Sequence, residues 1–437
     1  MGDAQSEGVI FTCPFEMPRT FASAWHLKRF VVSSRAHENR LGGETVLDWD
    51  VIVVGASSAG LYAAMQLQRA GKRVAVFEQA QALNPARRTL IVTPHLRRIL
   101  PQLDAPILLH RISDLVLASA HAETRVTLHD PDLIVERGAL IHALARAAEQ
   151  AGVTLVLNRR FRALRATEGC ARVEFQNAAR ETVNATTRVV VGADGVFSDV
   201  AIAAGLKHPP SVPILQAEIE LPRGWDARTT KVWFDTDATR FFYWLIPESD
   251  TRAVVGLVGD ARAQMRHLLR RFLEREGFKA LAYQGARIAM YEPRLKPHTR
   301  IGDADVLLIG DAAGQVKVTT VGGTVSGLLG ADAAVRALTR GTAYARELRD
   351  VQRELGLHWW MRGALDYFTN REYDQLTRAV TPRVQAFLAQ HNRDEMAGVA
   401  WQLPFLQPQL LLLVPSLLNV LRRRAPHDAL DMVEGIE

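Results

Sequence analysis

The chain has 437 residues, too many for one ordinary core, and its 48% hydrophobic and 23% charged composition is that of a soluble globular protein of two or three domains. A formal charge of +6 does not signal nucleic acid, because only seven of the 53 basic residues are lysine, the arginines are spread along the chain, and no basic block is interleaved with aromatics. Cys13 and Cys170 lie far apart, which excludes a CxxC redox pair, a zinc ribbon and a disulfide framework; no metal site is expected.

Residues 1–47 show neither a secretory apolar stretch nor a strand pattern and read as an arm outside the fold, disordered or an over-long gene start. Val51 to Val54 then form an unbroken β-branched run, as a parallel strand buried on both faces requires. Gly55 permits a tight turn, and Gly60 lets the following helix pack on the sheet while its free N–H groups, around Ser57, Ser58 and Ala59, face a pyrophosphate. The middle glycine of the usual G-x-G-x-x-G is Ser57 here. Glu78 ends the second strand, Val74 to Phe77, where a carboxylate can accept a hydrogen bond from a ribose hydroxyl. Together these residues predict a dinucleotide site.

Further along, Ile134 to Gly152 has helical apolar spacing and a glycine stop, and Val153 to Leu157 reads as a strand. Residues 172–175 and 181–185 suggest an antiparallel excursion, and Arg188 to Gly192 a buried strand leading to Asp194 in a glycine turn. Residues 212–258 alternate apolar and polar positions, predicting an antiparallel sheet with an aromatic surface from Trp233, Phe234, Phe241, Phe242, Tyr243 and Trp244. From Asp305 a second buried strand reaches Gly310 and Asp311, then a loop with Gly322 and Gly323 enters a small-residue helix. Residues 344–437 are helical in pattern. Within them, residues 409–424 are too short and too broken by Pro415 to span a membrane, and fit either an interfacial helix or a buried terminal helix.

The segments G-A-S-S-A-G with Glu78, G-A-D-G at 192–195 and G-D-A-A-G at 310–314, in this order, resemble the FAD-dependent family that includes aromatic hydroxylases, geranylgeranyl reductases and flavin-dependent halogenases. The resemblance implies that Glu78 binds the adenosine ribose, Arg137 contacts the cofactor, Asp194 closes the site near the pyrophosphate, Asp311 binds the ribityl chain, and Gly322 and Gly323 lie by the isoalloxazine. The loop from Gly310 to Gly323 is most similar to geranylgeranyl reductases, with Val318 in place of their proline and Val321 in place of a glycine. Phe241 to Pro247 resembles both a reductase and a halogenase pattern, but halogenation asks for a lysine that does not occur between Lys72 and Lys207.

The expected architecture is α/β: a Rossmann-type, doubly wound FAD-binding domain formed by 48–206 and 300–340, an inserted antiparallel-sheet substrate domain at 207–299, and a helical region at 341–437. The resemblance implies an FAD-dependent oxidoreductase that saturates C=C bonds of an isoprenoid or other apolar substrate, lined by Phe242 and Trp244, with NADPH or NADH as electron donor. A class A flavin monooxygenase is the alternative and a halogenase the third. Family reductases often carry a cysteine after the second strand, and 79–100 has none. No proton donor stands out, Tyr243 and His95 included. The expected location is the cytoplasm, with 409–424 as the segment able to touch the inner face of a membrane. No nucleic-acid partner is expected, and the oligomeric state does not follow.

Overall fold

The computed structural model describes residues 48–408, except 102, 104, 105, 260 and 261, together with the backbone of two short strands, Arg40–Leu41 and Glu44–Thr45. The expectations for an arm at 1–47 and for membrane contact at 409–424 fall on segments that lie, apart from those two strands, outside the described residues.

One sheet carries, in spatial order, His298–Ile301, Ala304–Leu308, Thr182–Gly192, Trp49–Val54, Val74–Phe77 and Thr154–Val156. All neighbours pair in parallel except His298–Ile301, which runs antiparallel at the edge. The period-2 geometry of strands divides the apolar runs between two cores. Val51, Val53, Val74, Val76, Val191 and Leu307 pack under the helices Ser58–Arg69, Arg137–Gln150 and Thr324–Arg340. Ile52, Val54, Ala75, Phe77, Val190 and Leu308 fill the other face, where Phe77 stacks on Phe175 with centroids 4.0 Å apart. The antiparallel excursion is present: the amino half of Thr182–Gly192 pairs with Cys170–Gln176, which pairs with Arg160–Thr167.

The second sheet has eight strands in the order Ala280–Ala289, Ser211–Glu220, Arg252–Val258, Tyr243–Pro247, Thr229–Trp233, Leu108–Ala118, Glu123–Glu136 and Thr89–Val92. Three of these come from residues 89–136, which the sequence reading placed with the parallel sheet. The predicted helix at 134 is also corrected: the strand runs to Glu136, whose carboxylate then caps Arg137–Gln150 by accepting from the Gly138 and Ala139 N–H groups.

The aromatic residues of this sheet do not share a surface as expected, because alternation separates neighbours. Tyr243 and Trp233 point beneath the helix Arg262–Glu276, with Tyr243 stacked on Phe272 at 4.1 Å. Phe242, Trp244 and Ile246 occupy the opposite face. Trp244 is in register with Gly256, and a Cβ built at Gly256 would lie 2.4 Å from the indole Cζ2, so only glycine leaves room for the ring. Helices Arg349–Leu365, Asn370–Ala379 and Pro382–Gln390 follow, and short helical turns from Met396 to Leu406 end the described chain.

Tyr243 is buried in that far core. Tyr243→Ala should therefore cost about 3–5 kcal/mol in urea unfolding, as for other large aromatic truncations, with flavin bound per folded molecule unchanged. Loss of flavin without loss of stability would contradict its placement.

Candidate functional site

The two sheets meet at a cavity of about 390 Å³. One end is built by the carboxyl edge of the parallel sheet, the place where doubly wound folds hold ligands. Of the sequence-predicted residues, Ser57, Ser58, Ala59, Arg137, Gly310, Asp311, Gly322 and Gly323 line it, together with Phe242 and Trp244. Gly55, Gly60, Glu78 and Asp194 are not among the lining residues.

Gly55 has φ of 100°, and a Cβ there would sit 2.6 Å from the Ala193 carbonyl oxygen; one on Gly60 would sit 2.4 Å from the Gly55 oxygen. These two contacts allow strand ends and the first helix to close on one another. Ser57 explains the departure from the glycine fingerprint: it is the N-cap of Ser58–Arg69, and its hydroxyl accepts from the Gly60 N–H at 3.1 Å. The Glu78 carboxylate accepts from the Ala56 N–H at 2.8 Å and the Ala80 N–H at 2.9 Å, which fixes it beside the turn with lone pairs left over. A second helix, Thr324–Arg340, opens at Gly323 with no side-chain cap, so its first N–H groups and dipole also face the cavity.

Asp311 is the charged centre. Burial raises its carboxyl above the usual range, opposed by the cations Arg88 and Arg137. Burial likewise lowers both guanidinium groups, and Asp311 offsets part of that loss. Arg88 Nε is buried and has no hydrogen-bond partner, and neither has Asp194 Oδ1. A buried donor and a buried acceptor of this kind cost free energy unless something bonds them. A dinucleotide's phosphates and hydroxyls would supply such partners, so the residues present fit the group. Arg88 escaped the sequence reading because it belongs to no motif; its backbone carbonyl accepts from the Arg137 N–H at 3.0 Å, and this couples the two arginines.

The far end of the cavity is apolar: Leu115, Leu117, Ile214, Val232, Phe242 and Trp244 among others. Between the ends sits a turn, 317–322, closed by Lys317 N–H to the Gly322 carbonyl at 3.1 Å. Residues from the carboxyl-terminal region hold it. The Lys317 ammonium pairs with Asp394, which also accepts from Thr93, while Arg393 pairs with Asp132 at 2.7 Å. Thr319 donates to His358 Nδ1, leaving Nε2–H to donate to the Arg393 carbonyl at 3.1 Å. Burial lowers the Lys317 ammonium. Burial also opposes charge on Asp394, but Lys317, Thr93 and Arg393 outweigh it and keep that carboxyl below its usual range. Val321 in this turn has φ of 48°, a left-handed conformation that costs a β-branched residue roughly 1–2 kcal/mol. Neither Tyr243 nor His95 is in the cavity lining; His95 lies 3.3 Å from Glu395.

Two helix N-termini at the carboxyl edge of a parallel sheet, with a buried aspartate between arginines, define a dinucleotide-binding protein. Residues 48–339 match the FAD binding domain family, and the chain belongs to it as an FAD-dependent oxidoreductase. The digeranylgeranylglycerophospholipid reductase of Methanocaldococcus jannaschii is 25% identical over 368 residues, covering 76% of this chain and 90% of the relative. The geranylgeranyl diphosphate reductase of Rhodobacter capsulatus is 25% identical over 281 residues, covering 62% and 70%. A geranylgeranyl bacteriochlorophyll reductase-like structure from Thermoplasma acidophilum superposes with TM-score 0.72 at 18% identity, over 84% of this chain and 99% of that one. A probable FAD-dependent monooxygenase from Pseudomonas aeruginosa gives 0.56 at 18%, over 76% and 99%. These two structural likenesses carry the fold.

Heat-denatured protein should release FAD and no FMN, and Glu78→Ala should weaken FAD binding by about 1–3 kcal/mol in titrations of the apoprotein. The Lys317–Asp394 pair has side chains only 6% and 2% exposed. Lys317→Met should thus cost about 3–5 kcal/mol by stranding a carboxylate, and adding Asp394→Leu should recover much of it in a double-mutant cycle.

Proposed function

We propose that the chain is an FAD-dependent reductase that saturates carbon–carbon double bonds in an apolar, isoprenoid-type substrate, with NADPH or NADH as electron donor. The observation that carries this reading is the continuity of one cavity from the cofactor-binding sheet edge to the apolar wall around Phe242 and Trp244. Each methylene buried against such a wall contributes about 0.8 kcal/mol, enough for a chain without polar handles to be held. The relatives named as geranylgeranyl reductases support the same substrate class.

When bound, FAD supplies the hydride chemistry. The chain's own residues do the rest. Gly55, Ser57, Ser58, Ala59 and Gly60 form the seat for a pyrophosphate, Glu78 receives the adenosine ribose, and Arg88, Arg137 and Asp311 set the charge around the remaining polar part of the cofactor. Asp194 shapes the floor beneath. Gly322 and Gly323 leave the approach to the flat ring free of side chains, while Phe242, Trp244 and Ile246 orient the substrate and exclude water. We also infer contact with a lipid surface near the carboxyl terminus, where exposed Trp401 and Phe405 precede residue 409. Among the described residues no helix is long and apolar enough to cross a membrane.

The decisive test is product mass. Incubation of the FAD-loaded protein with NADPH and geranylgeranyl substrates under nitrogen should add two daltons per bond reduced. Turnover that instead requires oxygen, with oxygen consumed one for one with a hydroxylated product, would establish the monooxygenase reading. Trp244→Ala should lower turnover by at least tenfold while FAD occupancy stays near that of the parent, since the ribose and pyrophosphate contacts lie elsewhere.

A further inference from the structure

We propose that Val321 is a specificity-determining residue: the turn 317–322 presses its side chain into the apolar half of the cavity, narrowing the space beside Gly322 and Gly323 to admit a slender chain and reject fused rings. The inference rests on the proposed reductase reading for its substrate class, but the narrowing itself is a property of the turn.

Three observations converge. Val321 lines the cavity and packs against the cluster that contains Trp244, Ile246 and Ile214. Its backbone is left-handed; among the described residues the other non-glycine positions with positive φ are Asn158 and Arg180, residue types and settings without a β-branch. A β-branched side chain keeps such a conformation only where its surroundings impose it. The surroundings here do so: before Val321, Lys317 is tied to Asp394, Thr319 to His358, and the Thr320 N–H donates back to the Lys317 carbonyl at 3.3 Å, while after it the Gly322 carbonyl accepts from the Lys317 N–H at 3.1 Å. With both ends of the turn fixed, the strained residue cannot relax away from the substrate wall. A glycine would meet the backbone demand without strain and would leave the cavity wider, so the valine adds shape at the expense of local stability.

Equilibrium dialysis of the FAD-loaded protein against geranylgeraniol and against pyrene tests this. Val321→Gly and Val321→Ala should each shift the affinity ratio at least fivefold toward pyrene, and Val321→Leu should shift it the other way. Val321→Gly should also melt above Val321→Ala, the reverse of the order at an unstrained position. An unchanged ratio in the glycine and alanine variants overturns the proposal, as does the alanine variant melting higher. A parent protein that prefers pyrene would count against the isoprenoid substrate, whereas the role of Val321 is judged by the change between variants and parent.

Discussion

Close backbone approach is the constraint on which the rest of this molecule depends. At Gly55, Gly60 and Gly323 an added Cβ would fall within 3 Å of neighbouring atoms, and at Gly327 it would lie 3.3 Å from Gly310 Cα. Because these positions carry no side chain, strand ends and two helix N-termini converge on one point, and that point becomes rich in unbonded N–H groups. Positive potential from backbone then favours the buried carboxylate of Asp311, and Arg88 and Arg137 offset part of the cost of burying it. A polar ligand is accommodated at the edge of a sheet whose interior is almost entirely aliphatic.

The second sheet, antiparallel except where Thr229–Trp233 runs parallel to Leu108–Ala118, contributes the opposite kind of surface. Its strands hide one aromatic layer under a helix and present another to the cavity, so a single sheet serves both as core and as wall. The turn after the helix Pro382–Gln390 adds a third ingredient: its Arg393 and Asp394 join Asp132 and Lys317 in a largely buried network in which two cations and two carboxylates balance. Buried pairs of this sort contribute little net stability over apolar packing, but they fix geometry, since every misplacement strands a charge. That is the property required of a turn that separates the two ends of the cavity.

Much of the nucleotide end was legible in the sequence. Buried parallel strands are unbroken β-branched runs, and the glycines at 55, 60, 310, 322 and 323 sit at the strand ends and turns that the pattern marks, although the contact that requires Gly55, with Ala193, is remote in sequence. The rest failed for nameable reasons. Residues 89–136 form long strands whose burial is mixed, and their alternation is blurred by irregular pairing near residues 108–114. Tyr243 and Trp244 look alike as an aromatic run, and only the strand's register decides that they face apart. Arg393 and Asp394 are ordinary surface-type residues that become buried through partners far away in sequence, a pairing that no local signal announces. Ser57, which looked like a defect in the fingerprint, is a helix cap.

The match between Gly256 and the indole of Trp244 has a consequence for how this wall can change. The ring occupies the volume that a side chain at 256 would need, so the two positions share one parcel of space. A larger residue at 256 is admissible only with a smaller one at 244, and a library that varies either site alone would record both as intolerant while missing the paired exchange. Redesign of the cavity, whether by selection or by hand, must cross that gap in a double step, which makes the aromatic wall conservative in single mutations and open to abrupt replacement.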